Sequence, residues 1–346
     1  MEYRNLGRSG IKVSAICFGT MTFGEQNTEA EAHRLLDMAF ERGVNFLDAA
    51  EMYPIPVKAQ TQGRTESYIG SWLKKSGKRS RIVVATKVSG RSRDFTWIRS
   101  GGTRLDRTNI TAAVENSLKR LGIDCIDLYQ LHWPDRRTNF FGALGYVHNP
   151  KDDSVPLEET LSVLGELVAA GKIRCAGVSN ETPWGLSRYL NLSDTSGLPR
   201  VAAIQNPYSL LNRTFEIGLA EIAIRESCGL LAYSPLGFGV LTGKYLNGAR
   251  PAGARLVLFP EYRRYTSDRA VRATSGYVDI ARRHGIAPAQ LAIAYAASRP
   301  FVTSVIIGAT KLSQLEEDIA AADLRLSEDM LREIETVHGA DPNPSP

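Results

Sequence analysis

Eight short apolar runs recur along the 346-residue chain, and a segment of helical period follows each one. The runs read as strands: "AICFG" (15–19), "VNFLD" (44–48), "IVVATK" (82–87), "IDLYQLH" (126–132), "IRCAGV" (173–178), "AAIQ" (202–205), "LLAYS" (230–234) and "SVIIG" (304–308). The helices between and after them are expected near 28–42, 65–76, 108–121, 157–170, 182–190, 214–227, 268–284 with 288–298, and 313–322. Thr28 with Glu31 three residues on is a capping box for the first. Alternation of this kind builds a parallel sheet covered by helices. Eight units at this length fit a (β/α)8 barrel in an α/β chain. An open doubly wound sheet would want a glycine-rich phosphate loop after an early strand, and "CFGTMTFG" lacks that spacing. The opening "YRNLGRSGIKVS" reads as a small hairpin turning at Arg8-Ser9-Gly10. Two connections, 133–156 and 235–267, are long, as functional loops often are. No linker divides the chain, so one domain over 1–346 is expected, with a disordered tail from about 340.

Charge and cysteine count narrow the function classes. The balance is 42 Lys and Arg against 37 Asp and Glu, or +5. The densest basic cluster, Lys74, Lys75, Lys78, Arg79 and Arg81, follows a helix end, where cations suit the dipole. No aromatic residues interleave with it, so no nucleic-acid partner is expected. Cys17, Cys125, Cys175 and Cys228 form no CxxC pair, and the five histidines show no ligand spacing. No metal is expected. No run is long and apolar enough for a signal region or a membrane span, so a cytoplasmic protein without membrane partner is expected. The sequence leaves the oligomeric state open.

In a barrel of this type the C-terminal strand ends converge on one face. The second strand ends on Asp48, the third on Lys87, the fourth on His132, the fifth on Ser179 and Asn180, the sixth on Gln205 and Asn206, the seventh on Tyr233 and Ser234. Singly, each has an ordinary reading as a cap, a snorkelling amine or a satisfied core imidazole. Six strands doing this together point to a site. Asp48 and Lys87, on adjacent strand ends, read as a buried ion pair. A cation beside Tyr53, five residues after Asp48, is expected to lower that phenol toward neutrality from about 10. Such a tyrosine can give a proton to a carbonyl, with His132 polarising the same oxygen. Ser179, Asn180 and Gln205 can hold a carboxamide, and Tyr233 offers a face for stacking. "YSPLGFGVLTGKY" (233–245) and "IIGATKLSQLEED" (306–318) supply amides, hydroxyls and helix N-terminal positions suited to phosphates.

Together these residues resemble the aldo-keto reductases. The Asp48, Tyr53, Lys87, His132 set resembles that family's tetrad. "RLGIDCIDLYQLHWPD", "GKIRCAGVSN", "IQNPYSLLNR" and "AYSPLGFGVLTGKY" resemble its segments in the same order. The insertions "VKAQTQGRTESYIG", "RRTNFFGALGY" and "LTGKYLNGARPAGAR" look like those of its bacterial Tas-type branch. The resemblance implies an NADP(H)-dependent reductase of aldehydes or ketones. Tyr53 would be its proton donor, Lys87 and Asp48 would tune the phenol, and His132 would orient the carbonyl. It implies that Thr20, Met21, Asp48, Ser179, Asn180, Gln205 and Tyr233 surround the nicotinamide. Ser234, Pro235, Leu236, Gly239, Leu241 and Lys244 would hold the pyrophosphate, and Ala309, Gln314, Glu317 and Asp318 the adenosine. Two positions depart from the common pattern. Ala49 follows Asp48 where a hydroxyl residue is usual, and Gln314 stands where many members carry an arginine for the 2′-phosphate. Lys311 or Arg255 would have to compensate. The substrate pocket is expected from Met21, Phe23, Trp133, the 133–156 loop and Tyr208, which suits a small carbonyl compound with an apolar or aromatic body. Two rivals stand beside this reading: a cofactor-binding auxiliary subunit of slow turnover, and a barrel aldolase using Lys87 as a Schiff base.

Overall fold

The computed structural model describes residues 1–346. Its first two strands, β1 (Tyr3–Asn5) and β2 (Lys12–Ser14), form the antiparallel hairpin, with Tyr3 opposite Ser14. Eight further strands follow: β3 (Ile16–Gly19), β4 (Phe46–Asp48), β5 (Val83–Val88), β6 (Ile126–Leu131), β7 (Ile173–Ser179), β8 (Val201–Pro207), β9 (Gly229–Tyr233) and β10 (Val302–Ile307). They close into a parallel barrel in chain order, β10 pairing back onto β3. The (β/α)8 fold is therefore present.

The helices are α1 (Glu29–Glu41), α2 (Arg64–Ser76), α3 (Arg107–Leu121), α4 (Leu157–Ala169), α5 (Pro183–Ser196), α6 (Ala220–Arg225), α7 (Arg255–Leu258), α8 (Asp268–Arg283), α9 (Pro288–Ala297), α10 (Leu312–Ala320) and α11 (Glu328–Ala340). The Thr28–Glu31 capping box at α1 forms in both directions. The strands are buried on both faces because they serve two cores. Outward residues such as Val84, Tyr129 and Ile204 join the helices in one large apolar cluster. Inward residues such as Phe46, Leu128 and Leu231 fill the barrel, and the hairpin's Leu6, Ile11 and Val13 join them, plugging the N-terminal end. That leaves the C-terminal end as the open face. No helix is long and apolar enough to cross a membrane.

Three expectations are corrected. The helix expected over 214–227 is broken into a 3-10 turn, Thr214–Glu216, and the short α6, because Gly218 sits at φ 93° between them. Helix α11 was not expected, although Ser327 caps it and Glu328 and Asp329 open its first turn. The last residues do not hang free: the Arg213 amide donates to Asn343 Oδ1 at 2.6 Å, and the Ser345 amide donates to the Leu211 carbonyl at 3.1 Å. The tail is a strap docked beside the loop after β8.

Candidate active site

Each polar side chain at the open face is placed by a strand that cannot turn it elsewhere, since its neighbours face the cores. Parallel register sets Asp48 beside Ala85, Lys87 beside Gln130 and Ser179 beside Gln205. Lys87 is fully buried, and its ammonium donates to Asp48 Oδ2 at 2.6 Å and to the Ala49 carbonyl at 2.7 Å. The other oxygen of Asp48 accepts from Gln205 Nε2 at 2.8 Å and from Gln130 Nε2 at 3.2 Å. A buried charge pair persists only when its remaining hydrogen-bonding capacity is met this way. Asp48 thus ties three strand ends together.

Above this pair stand two rings. The Lys87 ammonium lies 5.0 Å from the centroid of the Tyr53 ring, and the Tyr53 and His132 rings meet edge to face at 5.6 Å. Burial holds His132 well below the usual imidazole range, and the Lys87 charge pushes the same way. The imidazole is therefore neutral, and its Nδ1 has no protein partner. The expectation for Tyr53 is corrected. Burial pushes its phenol up, Lys87 opposes this, and the net direction is upward. Asp48 neutralises much of the field that Lys87 would otherwise exert.

The rings border a cleft of about 900 Å³. Its wall on one side includes Thr20, Met21, Asp48, Ser179, Asn180, Gln205 and Tyr233. These residues fix one another: Tyr233 donates to Asn180 Oδ1 at 2.6 Å, Asn180 Nδ2 donates to the His132 carbonyl at 2.9 Å, and Ser179 donates to the Gln205 carbonyl at 2.8 Å. The Gln205 amide oxygen has no such partner and faces the cleft. Along the next arm lie Ser234, Pro235, Leu236, Gly239, Lys244 and Arg255, and at the far end Gln314, Glu317 and Asp318. The arm is built on left-handed backbone at Ser234, Gly237, Phe238 and Gly239. Gly239 sits at φ 87°, where glycine is favoured, and a Cβ there would crowd Lys244 Nζ at 2.7 Å. Lys244 and Arg255 make no ion pair, and burial lowers the proton affinity of both. Two half-buried unpaired cations over a strained, glycine-bearing loop suit a pyrophosphate. At the far end burial raises Asp318 to about 7, with Glu317 adding to the rise and Lys244 opposing it. Gln314 Oε1 accepts from the Thr310 amide at 3.1 Å, tying that side chain to the start of α10. The donor set thus fits a dinucleotide: a carboxamide end, a cationic middle and a helix start.

Five sequence-derived residues lie outside the cleft wall, Lys87 among them, fully buried beneath it. Phe23 is buried edge-on against Phe18. Tyr208 is buried, stacks on Tyr295 and donates to Glu216 at 2.5 Å. Their assignment to the substrate pocket is corrected: both belong to the core. Leu241 and Ala309 are buried side chains that do not line the cleft. The Leu241 amide is spent on the Leu236 carbonyl at 3.1 Å, which corrects its place among the cofactor contacts. At the second end Gly308 and Thr310, not Ala309, reach the surface. Trp133 and Met21 line the cleft, with Phe140 and Phe141 from the 133–156 loop, and Met52, Ile55, Phe95, Phe238, Arg263 and Arg264 line it beside them. Phe95 comes from the 89–106 connection, whose length and aromatic content were a legible signal in the sequence.

Comparison with known proteins follows the same lines. The sequence model of the "Aldo/keto reductase family" matches residues 15–338. The chain is 53% identical to "Protein tas" of Escherichia coli (strain K12) over 346 residues, covering 100% of each. It is 32% identical to "Uncharacterized oxidoreductase YrpG" of Bacillus subtilis over 96% of this chain and 94% of that one. It is 34% identical to a "Probable voltage-gated potassium channel subunit beta" of Arabidopsis thaliana, over 94% and 92% of the two chains.

Proposed function

This chain belongs to the aldo/keto reductase family and is an oxidoreductase, and we propose that it reduces an aldehyde or ketone to an alcohol with NADPH, at the cleft between Tyr53, His132 and Tyr233. One observation carries the reading: the buried Asp48–Lys87 pair at 2.6 Å directly beneath the Tyr53 ring. A reduced nicotinamide, when bound, supplies the hydride. Everything else falls to the chain. Tyr53 gives its phenolic proton to the substrate oxygen, and its upward-shifted phenol is protonated at neutral pH. The Lys87 ammonium stabilises the phenolate left behind. Asp48 holds Lys87 charged and fixed. His132, neutral, presents a ring N–H to the same oxygen. Ser179, Asn180 and Gln205 orient the carboxamide, Tyr233 stacks, and Lys244 takes the pyrophosphate charge. With Gln314 engaged by Thr310, Arg255 and Lys311 are the cations left for a 2′-phosphate.

Fluorescence titration of the purified protein with NADPH and NADH, for wild type and Arg255→Gln, tests this reading. Tight NADPH, weak NADH and a loss of that difference in the variant are expected. Equal affinity for both would remove the 2′-phosphate site, and binding of neither would remove the reductase reading. The Arabidopsis relative is named as a channel subunit, and a second reading makes this chain an auxiliary subunit that holds the cofactor and turns over slowly. Retention of NADPH without turnover on any carbonyl compound would favour it.

A further inference from the structure

The cofactor reading leaves three cleft arginines unused: Arg91 is paired with Asp153, Arg263 is exposed, and Arg264 is half-buried. The Arg264 guanidinium makes no ion pair; only the phenols of Tyr265 and Tyr233 stand close enough to bond it. Like Arg91, the nearby Arg99, Arg104 and Arg136 are paired, with Glu51, Asp135 and Glu181. The titratable side chains facing Arg264 are the phenols of Tyr265 and Tyr233, with no carboxylate side chain among them, and the Pro346 carbonyl oxygen lies against the same Gly142 that Arg264 approaches. Its position separates it from Lys244 and Arg255. Arg255 lies over Phe238 on the pyrophosphate arm, 5.5 Å from the ring centroid. Arg264 instead lies over Phe141, 5.9 Å from that centroid, and a Cβ on Gly142 would stand 3.2 Å from its Nε.

Phe141 is the last of a run of rings that begins at the reacting end. His132 meets Trp133 at 5.0 Å, Trp133 meets Phe141 at 5.8 Å, and Phe95 closes on Trp133 at 6.3 Å. An apolar body lying along these rings, with its carbonyl at His132 and Tyr53, would bring its far end to Arg264. A planar guanidinium has five N–H donors, more than two phenols can take up, and it matches a carboxylate bidentately; the partly dry surroundings strengthen the contact.

We propose that Arg264 is a specificity-determining residue that binds the carboxylate of an aromatic or apolar carbonyl substrate, with Phe141 and Trp133 holding the substrate's body. The proposal rests on the reductase reading above, deepening it to a substrate class.

The experiment compares 4-carboxybenzaldehyde with benzaldehyde as substrates for wild type, Arg264→Gln and Arg264→Lys. Wild type is expected to favour the carboxylate, and Arg264→Gln to lose about tenfold to a hundredfold more kcat/KM on it than on benzaldehyde, as for charge-assisted hydrogen bonds. The loss should appear in KM, and Arg264→Lys should recover part of it. An equal loss on both aldehydes overturns the proposal, as does a weakened NADPH titration with no discrimination between them. If wild type reduces neither aldehyde, the reductase reading fails on its own. Calorimetry with benzoate then still decides the site: weaker binding to Arg264→Gln supports it, and unchanged binding overturns it.

Discussion

At the scale of single residues, neighbours and burial decide what each titratable group does. Tyr53 illustrates the contest. Lys87 favours the phenolate, but burial and Asp48 favour the phenol, and they win. The phenol is thus held protonated at neutral pH, as the proposed proton donor must be. Replacing Tyr53 by Phe should lower carbonyl reduction by about a hundredfold or more, the usual contribution of a general acid. NADPH binding, followed by fluorescence, should change far less, because the phenol acts only in the chemical step. Equal losses in both would remove Tyr53 from the chemistry. Asp318 gives a second prediction. Its carboxyl is raised to about 7 in the fold, against about 3.9 in an unfolded chain. The folded state therefore holds the extra proton between these values, so stability falls as pH rises from about 4 to about 7 and stays reduced above. Asp318→Asn should remove this dependence, giving up to roughly 4 kcal/mol over wild type at pH 8 and little difference near pH 4. Urea unfolding of the ligand-free protein at the two pH values measures it, and parallel curves for both proteins would refute it.

At the scale of elements, the sequence was most readable where local chemistry is self-sufficient. Helix α1 shows this: Thr28 and Glu31 form the capping box expected from four residues of sequence, the Thr28 amide donating to Glu31 Oε2 at 2.8 Å. Thr28→Ala should cost about 1 kcal/mol in urea unfolding, and Thr28→Ser should restore most of it. An Ala variant as stable as wild type would mean the cap is replaced by water. The segment 214–227 shows the opposite case. Its apolar residues keep helical spacing, yet Gly218 breaks the run, because a left-handed residue cannot continue a helix. Helix α11 was legible and passed over. Ser327, two acidic residues and the spacing of Leu331, Ile334 and Val337 all announce it, but it belongs to no strand–helix unit.

At the scale of the whole molecule, closure of the barrel converts six separate strand ends into one site, and the hairpin and strap finish its two ends. Deleting residues 342–346 removes the Asn343 and Ser345 hydrogen bonds that pin the strap to Leu211 and Arg213. A loss of about 1–2 kcal/mol is expected, with NADPH affinity retained. Thermal unfolding and titration of the shortened protein check both, and an unchanged midpoint would mean the strap carries no stability. The sequence by itself determined the strand–helix alternation, and with it the barrel, because a period of two or of 3.6 residues is a local property. It also determined which polar residues end the strands. The catalytic-type tetrad could therefore be named from sequence. Tertiary structure alone decided which individual side chains reach the cleft: Tyr208 and Phe23 turn into the core, and Arg264 of the 235–267 connection lines the wall. It alone decided the direction of the Tyr53 shift. Loop conformation and burial depend on contacts between residues far apart in the chain, and no local pattern encodes them.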